Sequence, residues 1–121
     1  MFLVACGGGG EKATPTKRPA ASPTPTASGP LGRGADLFAQ NCSPCHGPDA
    51  EGLPRLGKNL RTSAFVRGLS DTDLLDFINT GRSADDPVNT TKVDMPPKGA
   101  NESLTDDQLK LIIAYIRSVQ K

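Results

Sequence analysis

The sequence feature that most constrains this chain is a Cys-x-x-Cys-His run formed by Cys42, Cys45 and His46. Two cysteines at this spacing can bond to the two vinyl groups of one porphyrin, and the adjacent imidazole then lies beneath the iron. The run is therefore typical of haem c attachment, with His46 as the proximal iron ligand. His46 is also the only histidine in the chain, so no second histidine competes for that role.

Two other kinds of site begin with the same pair of cysteines. A zinc site would need two further Cys or His ligands, and the sequence supplies no second pair. A redox dithiol of the thioredoxin type would lie beside a βαβ pattern, and the sequence has none. The motif therefore predicts one covalently bound haem c as the cofactor of this chain.

The sixth iron ligand is predicted to be Met95, which lies well after the haem motif; the only other methionine is Met1. Pro96 and Pro97 follow Met95, and their fixed backbone angles stiffen the segment that would present its sulfur. A thioether suits haem iron, and His/Met ligation raises the reduction potential. It would also close the iron to oxygen and peroxide. The alternative is that Met95 fills the core, as methionines commonly do.

The third cysteine, Cys6, follows Leu3-Val4-Ala5 near the start of the sequence. This tetrapeptide resembles the lipobox of bacterial lipoproteins, so residues 1–6 are interpreted as a truncated signal remnant with Cys6 as the lipidation site. The residues before Cys6 are too few for a complete secretory signal. The alternative is a short apolar anchor with an unmodified thiol. The sequence has no run of 18 or more apolar residues that would predict a membrane span.

Residues 7–30 are rich in Gly, Pro, Ser, Thr and Ala and show no apolar periodicity. Such a segment cannot bury enough apolar surface to fold alone and is predicted to be a flexible linker. With a lipid on Cys6 it would tether the following domain to the periplasmic face of the cytoplasmic membrane. The alternative is that this segment packs on a larger partner protein.

Residues 31–121 are the predicted folded domain. Their 11 Lys/Arg nearly balance 12 Asp/Glu, so the domain carries no excess of positive charge that would indicate nucleic-acid binding. The chain is only 36% hydrophobic, so the domain buries little side-chain area, and small domains of this kind often need a metal or cofactor to complete the core. Apolar spacing and capping residues predict helices at about 32–42, 71–80 and 105–119. Without any strand-like alternation, the predicted fold class is all-α, with long loops wrapped around the haem.

A series of motifs extends through this whole domain and resembles the class I bacterial cytochromes c. The motifs are Gly34-x-x-x-Phe38, Cys42-x-x-Cys45-His46-Gly47, Leu56-Gly57-x-Asn59-Leu60, Phe77-Ile78-x-x-Gly81-Arg82, Met95-Pro96-Pro97 and Ala114-Tyr115-Ile116-Arg117. The resemblance implies a small cytochrome c fold in which the first and last helices cross, with Gly34 and Phe38 against Tyr115. Residues 89–99 are also similar to lipid-anchored monohaem cytochromes such as the subunit of alternative complex III.

The chain departs from the class I pattern at two positions. Class I members usually have proline where this chain has Lys58, and the carbonyl of that residue accepts the ring N–H of the proximal histidine. Any residue has a carbonyl, so Lys58 is expected to orient His46 in the same way, with Pro54 as the second candidate. Ala50 stands where glycine is common, so a different turn after His46 is expected.

A basic run without intervening acidic residues consists of Arg55, Lys58, Arg61 and Arg67. These side chains are interpreted either as anchors for the haem propionates or as a surface for an acidic redox partner. The alternative is a solvated loop face.

Together these features predict a one-electron carrier rather than an enzyme, either free or a subunit of a respiratory or photosynthetic electron-transport complex. Its partners would be a quinol-oxidising complex, a terminal oxidase or another cytochrome. Two alternatives stay open. One is a haem enzyme or gas sensor with an open iron, if Met95 is not a ligand. The other is an accessory subunit that acts as a scaffold through residues 1–30.

Overall fold

The computed structural model describes residues 29–121, and within this range the fold is all-α, as predicted. The predicted lipidation site Cys6 and the predicted linker up to residue 28 lie outside the described residues. In chain order the elements are α1 (Pro30–Asn41), α2 (Ser43–His46), α3 (Ala64–Gly68), α4 (Asp71–Thr80), a 3-10 helix (Pro97–Ala100) and α5 (Asp106–Val119).

Between the helices of residues 29–121, β-bridge pairing occurs only at isolated positions. Antiparallel bridges join Leu53 to Gly57 and Arg82 to Met95, and residues 29–121 contain no extended strand. None of the helices in this range is both long enough and apolar enough to cross a lipid bilayer.

All three predicted helices are present, and two begin at the predicted capping residues. Ser70 accepts a hydrogen bond from the backbone N–H of Asp73, and Thr105 and Gln108 form a reciprocal capping box. Each such cap stabilises its helix by about 1 kcal/mol. Helix α1 begins at Pro30, before its predicted start and at the end of the predicted linker. Proline suits this first helical position because the N–H that it lacks would have no helical partner there.

The core lies where α1 crosses α5. A Cβ atom on Gly34 would collide with the backbone carbonyl of Leu111, so the absence of a side chain lets the two helices approach. One turn later, the ring of the fully buried Phe38 lies 5.1 Å from the ring of Tyr115. The expected crossing of α1 and α5 is therefore confirmed.

Helix α5 also holds the connection between α3 and α4. The guanidinium of Arg117 donates to the carbonyl of Val66 (2.8 Å) and to the carbonyl of Leu69 (2.6 Å), and it pairs with Asp71 (2.9 Å). Carbonyls at a helix C-terminus have no partner within the helix, so this arginine satisfies them and fixes α3 against the core.

Candidate functional site

A cavity of about 410 Å³ opens between α2, α4 and the long loops. Its volume lies within the range of about 300–1,000 Å³ that cofactor and ligand sites occupy. Apolar side chains from the core, among them Leu74, Ile78 and Ile116, form much of its wall. The polar and sulfur-bearing side chains on the wall include Cys42, Cys45, His46, Lys58, Arg82 and Met95. One cavity therefore brings together all four residues that the sequence predicts for the haem site.

The haem-motif residues reach the cavity because α2 begins directly after α1. The carbonyl of Cys42 accepts the backbone N–H groups of both Cys45 (3.2 Å) and His46 (2.9 Å). Pro44 in the first turn favours this short helix, and Gly47 ends it at a φ of 77°, which glycine adopts without strain. The resulting tight turn presents two thiols and an imidazole to the same cavity.

The imidazole of His46 is oriented by a main-chain atom. Its Nδ1 lies 2.9 Å from the carbonyl oxygen of Lys58, which confirms Lys58, rather than Pro54, as the hydrogen-bond partner. A carbonyl only accepts, so this bond requires the proton on Nδ1 and leaves the lone pair of Nε2 free. Burial lowers the pKa of His46, and the bond to Lys58 raises it in part. The ring is therefore neutral at pH 7 and able to bind a metal.

The loop that carries Lys58 is pressed against α2. A Cβ atom at position 57 would collide with the backbone carbonyl of Cys45, so this close approach requires glycine. The amide of Gly52 donates to the carbonyl of His46 over 2.7 Å, which fixes the other end of the same loop. Ala50, which replaces a common glycine, takes the left-handed conformation that favours glycine (φ 59°), and its side chain is fully buried.

Met95 is held in register by Arg82. The N–H of each residue donates to the carbonyl of the other, and both N···O distances are 2.8 Å. Gly81 allows this pairing, since a Cβ there would collide with the carbonyl of Met95. The side chain of Met95 packs against the core and lines the cavity. The backbone of Met95 is thus fixed by its own two main-chain bonds to Arg82 and by Pro96, which follows it.

The side chain of Arg82 also lines the cavity, a role that the sequence motif containing it did not indicate. Its guanidinium carbon lies 4.8 Å from the ring centroids of both Phe65 and Phe77. Its Nε is 3.4 Å from a carboxylate oxygen of Asp86, which makes an ion pair, yet this buried Nε has no hydrogen-bond partner within residues 29–121. The guanidinium is thus held between the two rings and the Asp86 carboxylate, and it places a cation on this part of the cavity wall.

The basic run does not form one cluster. Lys58 is its only member on the cavity wall. Arg61 pairs with Glu51 at 3.4 Å, and Arg67 donates to the backbone carbonyl of Lys121, so both of these guanidinium groups contact the protein itself.

Residues 29–116 match the model of the family described as cytochrome C oxidase, cbb3-type, subunit III. The chain belongs to this family. Among curated relatives, this chain is 32% identical over 87 residues to the cbb3-type cytochrome c oxidase subunit CcoP of Rhodobacter capsulatus; the match covers 71% of this chain and 28% of that protein. It is 39% identical over 51 residues to subunit FixP of Bradyrhizobium sp. (strain ORS 278), or 41% of this chain and 18% of that protein.

The match therefore spans less than a third of the length of these relatives. Solved structures agree with the fold. Cytochrome CL of Methylophaga aminisulfidivorans superposes with a TM-score of 0.57 at 28% identity, over 79% of this chain and 57% of that chain. The c-type cytochrome KustC0563 gives a TM-score of 0.51 at 24% identity, over 73% of this chain and 98% of that chain, and shows the fold alone.

Membership of a cytochrome c family implies haem c, and the residues on the cavity wall fit that group. The neutral His46 offers a free Nε2 to iron, and apolar side chains such as Leu74 and Ile78 form a wall suited to a porphyrin. Burial, with a smaller effect of Cys45, raises the pKa of Cys42 to about 11. The Cys42 thiol is therefore protonated at pH 7. Residues 29–121 also hold no cluster of three or more His, Cys, Asp or Glu side chains suited to a metal ion.

Proposed function

We propose that this domain carries one haem c and transfers single electrons in a membrane-bound respiratory complex. Cys42 and Cys45 hold the haem covalently, and His46 and Met95 are the axial ligands of its iron. The observation that carries the proposal is the 2.9 Å hydrogen bond between His46 Nδ1 and the carbonyl of Lys58. This bond holds the imidazole, which lines the cavity, in the tautomer whose Nε2 can bind iron.

The haem supplies the one-electron redox chemistry, and the protein positions and tunes it. Lys58 orients the proximal ring through its carbonyl, and Gly57 lets that carbonyl approach. The main-chain pair between Arg82 and Met95 holds the sulfur-bearing segment in place. With both axial positions filled by the protein, the iron has no open site for a substrate, and the domain acts as a carrier rather than an enzyme.

The proposed setting is the periplasmic face of the cytoplasmic membrane. The relatives CcoP and FixP are subunits of cbb3-type oxidases, which supports a larger electron-transfer complex as the partner. We propose residues 31–121 as the cytochrome c domain, residues 7–30 as its linker and Cys6 as a lipid anchor. The resemblance of residues 89–99 to the subunit of alternative complex III stays a prediction, as does the scaffold role for residues 1–30.

The visible spectrum of the purified holoprotein and of a Met95→Ala variant tests the ligation. The ferric wild type should show the weak far-red band of sulfur ligation, and Met95→Ala should lose it. The ferrous variant should then bind carbon monoxide, whereas the wild type should not. Val93→Ala, a change to a neighbouring residue of the cavity wall, is the control and should keep the band. A wild type that lacks the band and binds carbon monoxide would instead support a haem enzyme or gas sensor.

A further inference from the structure

We propose that Asn89 is a positioning residue that keeps Met95 on the iron, by bracing the loop of residues 83–94 from the inside. This loop begins and ends at the main-chain pair of Arg82 and Met95. The proposal rests on the proposed ligation of the iron by Met95 and adds to it the residue that governs how tightly that ligand is held.

Asn89 is unusual in its burial. Its exposed fraction is 4%, and it is the only buried polar or charged residue within residues 29–121. Its neighbour Val88 is 58% exposed. A polar side chain that turns inward from an exposed loop must satisfy its hydrogen bonds within the protein, because an unpaired buried amide is costly.

The carboxamide of Asn89 is fully used by the loop around it. Its Nδ2 donates to the carbonyls of Ser83 (2.9 Å) and Val93 (2.7 Å). Its Oδ1 accepts the backbone N–H groups of Thr91 (3.2 Å) and Lys92 (3.0 Å) and the hydroxyl of Thr91 (3.0 Å). Two partners are carbonyls and the others are donors, so only one orientation of the amide satisfies them all.

These bonds join the two arms of the loop beside the ligand. Ser83 directly follows Arg82, and Val93 lies two residues before Met95, so Nδ2 bridges the arms next to the main-chain pair. Lys92 has a φ of 57°, a left-handed conformation that disfavours residues other than glycine, and Asn89 Oδ1 holds its N–H there. The N–H of Ala84 also donates to Oδ1 of Asp94 (2.6 Å), so Asp94 adds a second link between the arms. Without Asn89, the arm that leads to Met95 would lose one of these links and the bond that holds Lys92 in its conformation.

The rigidity of this loop sets how often the sulfur leaves the iron. A thioether is a weak neutral ligand, so an external ligand can bind ferric iron only in the fraction of molecules whose Met95 is detached. The apparent affinity for such a ligand is the intrinsic affinity multiplied by that fraction. Imidazole is a suitable probe, because its binding abolishes the far-red sulfur band and can be titrated directly.

The experiment compares imidazole binding to the ferric holoprotein in wild type and in Asn89→Ala. Asn89→Ala should keep its haem, its sulfur band and its helix content, but bind imidazole at least about tenfold more tightly. Thr91→Val, which removes one of the five bonds, should give a smaller increase in the same direction. It also keeps the proposal testable if Asn89→Ala does not fold.

Asn59→Ala is the matched control. Asn59 Oδ1 also braces a long loop, by accepting the N–H groups of Arg61 (2.9 Å) and Thr62 (3.1 Å), but Asn59 does not line the cavity. Its loss should leave imidazole affinity unchanged. The proposal is overturned if neither Asn89→Ala nor Thr91→Val binds imidazole more tightly, or if Asn59→Ala shows an equal gain. A wild type without the sulfur band, which binds imidazole as Met95→Ala does, overturns the Met95 ligation itself.

Discussion

The ring N–H of His46 donates to the backbone carbonyl of Lys58 over 2.9 Å, so a main-chain atom orients the proposed proximal ligand. Because the contact does not involve the lysine side chain, the residue type at position 58 matters little as long as the loop keeps its course. The close approach of the loop to α2 matters much more, and it depends on Gly57, whose missing Cβ leaves room for the carbonyl of Cys45.

The first prediction separates these two contributions. Lys58→Arg, which keeps the positive charge on the cavity wall, should leave the potential and the visible spectrum nearly unchanged. Gly57→Ala should displace the loop, weaken the bond to His46 and make the ring a poorer donor to ferric iron. The potential should then rise, by about 59 mV for each tenfold loss of preference for the ferric state. Potentiometric titration of both variants checks this; a Lys58→Arg shift as large as that of Gly57→Ala would contradict it.

The second prediction concerns the crossing of α1 and α5. Gly34→Ala should lower the free energy of unfolding of the holoprotein by about 1–3 kcal/mol, since its Cβ collides with the carbonyl of Leu111. Gly68→Ala is the matched control, because a Cβ there meets no atom within 4 Å. It should change the stability by less than about 1 kcal/mol. Denaturant titrations of both variants measure their free energies of unfolding. Equal losses of stability would show that the crossing has room for a Cβ atom at position 34.

The features that could be predicted from sequence are those encoded within a few residues. The run of Cys42, Cys45 and His46 specifies three positions of one cavity because their spacing alone brings them to one turn. Ser70 and Thr105 marked helix starts because a cap acts on the residues next to it. Helices α2 and α3 escaped prediction because four or five residues are too few to show an apolar period.

The roles of Arg82 and Asn89 could not be predicted from the sequence, for a different reason. In the sequence, Arg82 follows a helix and Asn89 lies in a polar loop, and both patterns are typical of exposed residues. Their importance depends on tertiary contacts, which are the rings of Phe65 and Phe77 beneath the arginine and the two arms of the loop around the asparagine. Side chains brought together from distant segments leave no local spacing that a sequence can show.

The third prediction concerns the charge of Arg82. Removing a cation beside the haem stabilises the ferric state, which carries one more positive charge on the iron. Arg82→Gln should therefore lower the reduction potential, by on the order of 1 kcal/mol or about 40 mV for one electron. Arg67→Gln, which removes a cation that does not line the cavity, is the control and should shift the potential much less. An unchanged potential in Arg82→Gln would show that its cation does not act on the haem.

The last prediction concerns the proposed tether at Cys6, which lies after a lipobox-like sequence and before a polar linker. Acylation of this cysteine would supply more than one acyl chain, enough for stable anchoring. The protein should then sediment with membranes and resist high-salt washing, because insertion of acyl chains is not screened by salt. Cys6→Ser should release it, with the haem content and the visible spectrum unchanged. Intact mass spectrometry should show the lipid on the wild type and its loss from the variant.

If Cys6→Ser stays bound to membranes and the wild-type mass equals chain plus haem, the lipid anchor is wrong. Deletion of residues 7–28, which leaves α1 intact, would then test whether this segment binds a partner protein.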